Sequence, residues 1–478
     1  MVPDTNGGRR SVGTSQTRRR LLKATGAAGI VGLAGCTGNG GNGGGNGGGD
    51  TGGNGGGDGG GGGGDGGGNG GDDYPAIGNY PIDGDTAVYG FNVPLSGAYS
   101  AEGKSELNAY KLAVEHLNNG GGWVDMWDDL SGDGVLDKTI DFVQGDTATD
   151  PKTATEAASR MIKRENAIMV TGGVSSAVAI AQQKLCQQEK VQFMACLTHS
   201  NATQGKDCVR YGFREMFNAH MTGKALAPVL KDKYGENKTF YQLYADYTWG
   251  QSVRDSMKKF LEDEGWTQLD AVPTPLGTSD FSSYLSNVPR DKVDVLTLVH
   301  FGADGANSVP QAFKQGLDQD MEIVVPLYDQ IMASAASEYI GGVPGTADWN
   351  WQLDDDYSKT FTEAYRSKYD EAPPYAARLA YTQALQYSAA VERAGTFYPP
   401  EVIKALEGYT YDNAGLGAEE LRACDHQAMR DVLVVEGLPP GEQSGDKLLD
   451  ISGRTAKDTV SYACDEFPAS ECKLGSYE

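Results

Sequence analysis

Residues 86–118 read TAVYGFNVPLSGAYSAEGKSELNAYKLAVEHLN, and this stretch decides the fold. Residues 86–93 are rich in apolar and aromatic side chains, which favours a buried strand, and residues 104–118 repeat apolar positions at helical spacing. A turn-rich loop joins the two segments, and three glycines at 120–122 end the helix. The stretch therefore predicts a strand followed directly by a helix, the unit from which parallel α/β sheets are built.

The same alternation of strand and helix continues along the chain. We predict strands over 139–144, 167–171, 191–195, 238–245, 293–299 and 323–326. We predict helices over 151–164, 176–189, 251–264, 306–315, 357–369 and 376–394. A break in the series near 215–220, in a domain of roughly 400 residues, favours two similar α/β lobes with the chain crossing between them more than once.

The first 36 residues have the layout of an export and anchoring signal. Arg18, Arg19 and Arg20 precede a short apolar run that ends at Leu33, as in a twin-arginine signal. The run is about a dozen residues, whereas crossing a bilayer takes ~20. The segment LAGC that ends at Cys36 resembles a lipobox, in which cleavage before the cysteine precedes lipid attachment. We therefore expect a signal peptide over 1–35 and a lipid anchor on Cys36; the alternative is a basic tail with a chance cysteine.

Residues 37–73 are almost wholly Gly, Asn and Asp. Because such a segment has nothing to bury, we expect a disordered tether between the lipid and a folded domain over 74–478. Its r.m.s. reach is roughly 30–36 Å, from ~5–6 Å × √n. The expected location is the extracellular face of the cell membrane, with the lipid as the only attachment.

The chain is strongly acidic, which limits its partners. Its formal net charge is −25, and removal of residues 1–35, which carry a net charge of +5, leaves −30. This charge argues against binding to nucleic acid and to anionic membrane surfaces. It resembles exported proteins of salt-loving archaea, because molar salt shortens the Debye length to ~3 Å and screens the self-repulsion.

Six of the seven cysteines lie in the expected folded domain: Cys186, Cys196, Cys208, Cys424, Cys464 and Cys472. An even number in an exported protein indicates disulfides, although the sequence leaves their pairing open. None of the six has the paired CxxC spacing of a zinc site. We expect most of them to be paired, and we expect neither a metal nor another cofactor.

Three predicted strands end in loops that suit a ligand. These loops are 172–176 (GGVSS), 196–200 (CLTHS) and 246–250 (DYTWG). In open parallel sheets, ligands bind beyond the carboxyl ends of the strands, where loops and helix N-termini offer backbone N–H groups. Ser175 or Ser176 could cap the next helix, bind a ligand carboxylate, or do both. Trp249 could line the site or simply pack in the core.

The chain also contains three segments that point to one known protein family. They are residues 91–103 (FNVPLSGAYSAEG), the loop 145–151 (GDTATDP) and residues 424–427 (CDHQ). With the loops above, in the same order, they resemble the type I substrate-binding proteins of ABC transporters, and most closely the branched-chain amino acid, amide and urea group. The resemblance covers about 85–437. It implies two Rossmann-like lobes joined by a multi-strand hinge.

From the resemblance we expect lobe 1 over about 85–215 and 350–430, and lobe 2 over about 216–349 and 431–478. The implied protein is a monomeric extracellular binding protein, not an enzyme, that captures an amino-acid-like ligand between its lobes and delivers it to ABC permease subunits. The alternatives are a urea- or amide-binding protein of the same family and a ligand-sensing ectodomain.

The resemblance also implies a set of ligand-binding residues. Lobe 1 would contact the side chain and the charged groups of the ligand through Tyr99, Glu102, Ser175, Ser176, Cys196, Leu197 and Thr198. Lobe 2 would cover the ligand with Trp249, line the site with Phe301 and Gly302, and bind the ammonium with Asp329. Cys196, Leu197 and the insertion 123–137 depart from the family pattern and leave the ligand open.

Three further motifs suggest other functions. Residues 173–177 (GVSSA) fall one glycine short of the GxSxG nucleophile elbow, which would need His426 as its base in a serine hydrolase. Residues 129–134 resemble half of an EF-hand loop, but its twelfth position is Ile140 where a glutamate is needed. Asn201 and Asn237 stand in glycosylation sequons, and only Asn237 lies away from the predicted cleft.

Overall fold

The computed structural model describes residues 74–477; the export signal, Cys36 and the tether lie outside them. Within this range the strands are β1 Thr86–Val93, β2 Thr139–Asp146, β3 Ala167–Gly172, β4 Gln192–Ala195, β5 Gly212–Arg214, β6 Thr239–Ala245, β7 Thr267–Thr274, β8 Val295–Val299, β9 Glu322–Val324, β10 Pro344–Ala347, β11 Thr410–Tyr411, β12 Glu419–Leu421, β13 Ala428–Met429, β14 Val432–Gly437 and β15 Leu449–Thr455. The α-helices are α1 Ser100–Asn119, α2 Pro151–Glu165, α3 Ser176–Glu189, α4 Ala219–Tyr234, α5 Thr248–Asp263, α6 Ser282–Ser286, α7 Ala303–Lys314, α8 Gln330–Ala335, α9 Asp356–Tyr369, α10 Tyr375–Ala394, α11 Pro399–Leu406 and α12 Lys457–Val460.

Two parallel sheets form the centres of two lobes, which confirms the predicted α/β class. Lobe 1 is built on the sheet β2-β1-β3-β4-β5, and lobe 2 on the sheet β7-β6-β8-β9. Every pairing within these two sheets is parallel. Helices cover the sheets, so β3, β4 and β8 are buried along their whole length, as expected for parallel strands.

The predicted helix starts agree with the local chemistry. Asp150 caps α2 by accepting a hydrogen bond from the Thr153 N–H at 2.7 Å, and Pro151 occupies the first helical position. Asp355 caps α9 in the same way. Helix α10 packs along α1 and is buried through almost all of its length, which fixes the first helix of the chain against a late one.

Two antiparallel sheets complete the fold, and the sequence analysis did not predict them. The first joins β10, β14 and β15, and the second joins β11, β12 and β13. Strand β10 also continues the edge of the lobe 2 sheet through a parallel bridge between Leu327 and Thr346. The two central sheets are therefore parallel, and the two smaller outer sheets are antiparallel.

The chain crosses between the lobes after β5, after β10 and after β13, which forms the expected multi-strand hinge. Each crossing contributes one buried charged side chain to the hinge, in turn Glu215, Asp348 and Arg430. Arg430 pairs with Glu215 at 2.6 Å and with Asp348 at 3.2 Å. Arg378 of α10 and Glu419 of β12 complete this hinge cluster, and all five side chains are almost wholly buried. The three crossings are thus held together by ion pairs shielded from water.

After α12 the chain returns to lobe 1, whereas the sequence analysis placed 431–478 in lobe 2 throughout. Two disulfides, Cys208–Cys472 and Cys424–Cys464, tie this tail to lobe 1, and the Tyr211 hydroxyl donates to the Tyr477 carbonyl at 2.6 Å. Four of the six domain cysteines are therefore paired, as predicted. Cys186 and Cys196 are free and buried. Within residues 74–477, no helix combines the length and the apolar character needed to cross a membrane.

Candidate ligand-binding cleft

Helices α1, α3, α5, α7 and α8 each begin just beyond the carboxyl end of a parallel strand. The first two belong to lobe 1 and the other three to lobe 2, and contacts between their first turns define a cleft between the lobes. Helix N-termini present unpaired N–H groups and the positive ends of the helix dipoles. This side of each sheet therefore suits a ligand carboxylate.

The loop between β1 and α1 is shaped by Asp146, at the end of β2. Its Oδ1 accepts hydrogen bonds from the N–H groups of Leu95 at 2.9 Å, Ser96 at 3.2 Å and Ala148 at 2.7 Å. Partial burial opposes ionisation, but these bonds and one from the Ser96 hydroxyl keep the pKa of Asp146 below its usual value. The loop is thereby fixed in a shape that delivers Tyr99 to the start of α1.

Tyr99 connects lobe 1 to lobe 2. Its hydroxyl lies 2.6 Å from that of Tyr247, which precedes α5, and its ring lies 6.1 Å from the ring of Phe301. Gly302 has φ 58°, and a side chain there would meet the Tyr99 ring, so this position requires glycine. One residue further on, the Ala303 N–H donates to the Ala98 carbonyl across the cleft at 3.1 Å.

The lobe 1 wall is built from the loops after β3 and β4. Ser175 occupies the N-cap position of α3, yet within the described chain its side chain makes no capping hydrogen bond, which leaves the hydroxyl for another partner. The Thr198 hydroxyl lies 2.6 Å from the Gly173 carbonyl and donates to it. Since a hydroxyl has one proton and two lone pairs, Thr198 is set to accept a hydrogen bond from a ligand rather than to donate one. Ser176 instead accepts from the Ser200 N–H at 3.2 Å.

Rings from both lobes form a continuous aromatic group. The Trp249 indole N–H donates to Nδ1 of His199 at 3.0 Å, so this histidine carries its proton on Nε2 and directs it to Thr222 at 2.8 Å. Burial, helped by Arg214, lowers the pKa of His199 and keeps it neutral. The ring of Trp249 lies 6.2 Å from that of Phe301. Phe301 is in turn stacked on Tyr375 of α10, with ring centres 6.5 Å apart.

Three acidic side chains lie buried where the lobes meet: Glu102 and Glu106 on α1, and Asp329 at the start of α8. Each residue is at most 1% exposed. Within residues 74–477, no hydrogen-bonding partner contacts Oε1 of Glu102, either carboxylate oxygen of Glu106, or Oδ2 of Asp329. Burial raises the pKa of all three, to about 8 for Glu106 and about 7 for Asp329, and the charge of Asp329 raises the pKa of Glu102 further.

Asp329 is held in place by its other oxygen, Oδ1, which accepts from the Met332 N–H at 2.7 Å. The hydroxyls of Tyr328 and Tyr375 lie nearby, buried and without a hydrogen-bond partner among the described residues. The charges of Asp329, Glu102 and Asp348 all act on Tyr375, whose pKa burial raises. The site therefore contains several polar groups whose hydrogen bonding is incomplete.

The structure links most of the predicted site residues through direct contacts or shared neighbours. Tyr99, Phe301 and Gly302 touch one another, Trp249 meets Phe301, and the charges of Glu102 and Asp329 act on each other. Leu197 adopts a left-handed backbone conformation with φ 42° and is buried in the turn before Thr198. The Cys196 thiol lies beside Glu106 and Tyr110 within lobe 1.

Sequence reasoning missed Glu106, Tyr247, Tyr375 and His199. Glu106 follows Glu102 by four residues on a helix, a spacing that places both on one face and could have revealed it. Tyr247 and His199 stand in loops that had been singled out. Tyr375 begins a helix distant in sequence from the other site residues, and no local signal marks it.

The further motifs have structural partners. Both ring nitrogens of His426 are occupied, Nδ1 by the Gly212 carbonyl at 3.0 Å and Nε2 by Glu407 at 2.8 Å, so His426 does not serve Ser175 as a base. Asp129 binds Arg393 at 2.6 Å and is engaged in an ion pair. Asn201 is buried and donates to the Ser256 hydroxyl at 3.0 Å, which agrees with its exclusion as a glycosylation site.

Two α/β lobes, a three-crossing hinge and a cleft lined from both sides define the class of two-lobed solute-binding proteins. The chain belongs to the periplasmic binding protein family, whose sequence profile matches residues 89–442. It is 20% identical over 348 residues to the leucine-, isoleucine-, valine-, threonine-, and alanine-binding protein of Pseudomonas aeruginosa, covering 72% of this chain and 88% of that protein.

Two solved structures share the fold. A periplasmic binding protein from Burkholderia mallei superimposes with a TM-score of 0.74 at 22% identity, covering 81% of this chain and 100% of that one. A solute binding protein of an ABC transporter from Rhodopseudomonas palustris, in complex with 3,4-dihydroxy benzoic acid, gives a TM-score of 0.69 at 19% identity, covering 78% and 98%. At such identities the likeness establishes the fold and leaves the ligand of this chain to its own residues.

Proposed function

We propose that this protein is the extracellular solute-binding component of an ABC importer. It captures a small amino-acid-like ligand between its two lobes and delivers it to permease subunits in the membrane. The ligand site is formed by Ser175, Thr198, Trp249 and Asp329, together with Tyr99 of the first loop and Glu102 of α1. The protein catalyses no reaction.

The observation that carries this proposal is the convergence of polar groups from two lobes on one buried cleft. Helix N-termini and the free hydroxyl of Ser175 suit the carboxylate of the ligand. On the opposite side, Asp329 offers a buried oxygen without a partner among the described residues, which suits an ammonium. A buried charge left unpaired is costly, so a ligand with both groups would stabilise the closed arrangement of the lobes.

The relatives support an amino-acid-like ligand but do not narrow it. The Pseudomonas aeruginosa protein is named for five neutral amino acids, and the Rhodopseudomonas palustris protein holds an aromatic acid. A carboxylate is common to all of these compounds. These names favour a ligand with a carboxylate for this chain, and the residues of its own cleft select the rest of the ligand.

The proposal includes the N-terminal part of the chain. A twin-arginine signal would export the folded domain, Cys36 would receive the lipid, and residues 37–73 would tether the domain near the permease. The surface charge of the exported chain, −30, suits concentrated salt, where repulsion between carboxylates is screened.

A thermal-shift screen of the purified protein against the L-amino acids, simple amides and urea tests the proposal. We expect an amino acid to raise the unfolding temperature and to bind with micromolar or better affinity by calorimetry. Binding of urea or an amide without any amino acid would replace the ligand class but keep the transport role. A screen in which no member binds would contradict the function proposed for the cleft.

A further inference from the structure

We propose that the ligand is an amino acid with a positively charged side chain, whose second cation lies against Glu102 and Glu106. This inference rests on the proposed function, because it assigns the side-chain half of the same site. One acid, Asp329, is sufficient for the ammonium on the α-carbon. Two further buried carboxyl groups remain, those of Glu102 and Glu106 on α1, which we call the acidic wall. A neutral ligand side chain would leave them without a cationic partner.

The two glutamates are side by side on the first turns of α1. Because they are four residues apart on a helix, both project from one face. Neither is exposed by more than 1%, and three of their four carboxylate oxygens have no hydrogen-bonding partner within the described chain. An ammonium or guanidinium group has several N–H donors and would satisfy such oxygens directly.

None of the described groups that act on these two glutamates is a cation. The groups that act on Glu102 are Asp329 and Glu106, both acidic. The Cys196 thiol, a weak hydrogen-bond donor, lies beside Glu106. Tyr110 is also close, but its hydroxyl is hydrogen-bonded to that of Thr171 at 2.6 Å. Among residues 74–477 these glutamates thus have no cationic neighbour, and in our proposal the ligand supplies the cation.

The aromatic rings of the cleft favour the same ligand class. Tyr99 and Phe301 lie 6.1 Å apart and Phe301 and Tyr375 lie 6.5 Å apart, so rings from both lobes adjoin the acidic wall. The face of an aromatic ring attracts a cation, and the attraction is larger when water is excluded. The hydroxyl of Tyr375, without a partner among the described residues, adds an acceptor next to Glu102 and Asp329.

A matched pair of probes tests the inference. L-Lysine and L-norleucine share the α-carbon groups and an unbranched side chain, and only lysine ends in an ammonium. Calorimetry on the mature protein should show L-lysine binding at least about tenfold tighter, the effect of hydrogen bonds to a charged group. Glu102→Gln should remove about tenfold or more of the lysine affinity and so reduce the preference for lysine over norleucine, whereas Glu102→Asp should retain the preference.

Glu115→Gln is the matched control, because Glu115 lies on the same helix but is exposed and paired with Lys368. It should leave both affinities unchanged. Norleucine binding as tightly as lysine would overturn the inference while the solute-binding function stands. Failure of both probes would also overturn the inference, and the wider screen of amino acids, amides and urea would then decide the function separately.

Discussion

The hydroxyl oxygens of Tyr99 and Tyr247 lie 2.6 Å apart and share a hydrogen bond that joins the first loop of lobe 1 to the start of α5 in lobe 2. Burial raises the pKa of both phenols, so both remain protonated at physiological pH and one can donate to the other. Because the bond joins the two lobes, it holds them against each other and does not add to the stability of either lobe alone.

Tyr99→Phe should therefore weaken ligand binding without a large effect on folding. Loss of one buried hydrogen bond is worth about 0.5–1.5 kcal/mol, or roughly a 2- to 12-fold loss of affinity. Calorimetry with the tightest ligand of the screen measures this directly. Tyr284→Phe, in α6 and tilted against the ring of Phe281, is the control and should change nothing. Equal affinity of Tyr99→Phe and wild type would show that the bond plays no part in closure.

The hinge cluster should be a major source of stability. Arg430→Met leaves Glu215 and Asp348 buried with one cation fewer, and breaking a buried pair in this way costs about 3–5 kcal/mol. The free energy of unfolding, measured by urea denaturation, should fall by that amount. Arg366→Met removes an exposed pair with Asp446 and should cost at most about 1 kcal/mol. Similar losses for the two variants would contradict the importance of the buried cluster.

Glu106 should make the ligand-free protein less stable as the pH rises. Burial raises its pKa from the ordinary 4.5 to about 8, although the adjacent Cys196 thiol opposes the shift. Glu102 lies close by, as does the Tyr110 phenol, whose own pKa burial raises well above its usual value. The folded state thus holds a proton that the unfolded state loses near pH 4.5, so stability is highest below that pH and decreases up to about pH 8. Urea unfolding of wild type and Glu106→Gln at pH 6, 7 and 8 tests this.

The difference between the two proteins isolates Glu106 from the other titrating groups. Relative to Glu106→Gln, wild type should lose stability at each step, because glutamine carries no ionisable proton. A constant difference across this range would show that Glu106 is already ionised in the folded protein.

Much of the fold could be predicted because its local and global preferences agree. Strand β1 and helix α3 have the predicted bounds, since an apolar run marks the strand and Ser175, a residue type common at the N-cap position, marks the start of the helix. Helix α4 was missed, and it contains Pro228, a residue that lacks a backbone donor and normally indicates a helix end. Strand β10 was missed because it is only four residues long, and β15 because half of it is exposed. Strand β14 is a buried apolar run, VLVVEG, and its sequence could have revealed it.

The site residues that could be predicted are those that stand in local sequence motifs. Ser175, Thr198 and Trp249 stand in loops that directly follow strands, where ligand-binding groups are expected. The hydrogen-bond states of these residues could not be predicted, since the donor role of Thr198 toward Gly173 depends on packing between two loops. The buried acids stand on two helices from different lobes, Glu102 and Glu106 on α1 and Asp329 at the start of α8. They come together only in the folded protein.

The anchor can be tested independently of the ligand. Cys36→Ala removes the only thiol placed for lipidation, and the tether that follows has no apolar residues to hold a membrane. The variant should appear in the medium or remain unprocessed, as seen by fractionation and mass spectrometry. Arg18→Lys with Arg19→Lys should block export and serves to separate the two steps. A correctly cleaved Cys36→Ala protein that stays on the membrane would contradict the lipid anchor.

We propose that both lobes bind one ligand at once. Calorimetric titration of the tightest ligand into the double variant Thr198→Ala/Asp329→Asn tests it most directly, since each lobe loses one contact. Each lost hydrogen bond to a charged group costs about 1.5–3 kcal/mol, so the account predicts at least about a 100-fold loss of affinity in a protein that still unfolds cooperatively. Unchanged affinity in the folded double variant would place the ligand outside this cleft and contradict the account.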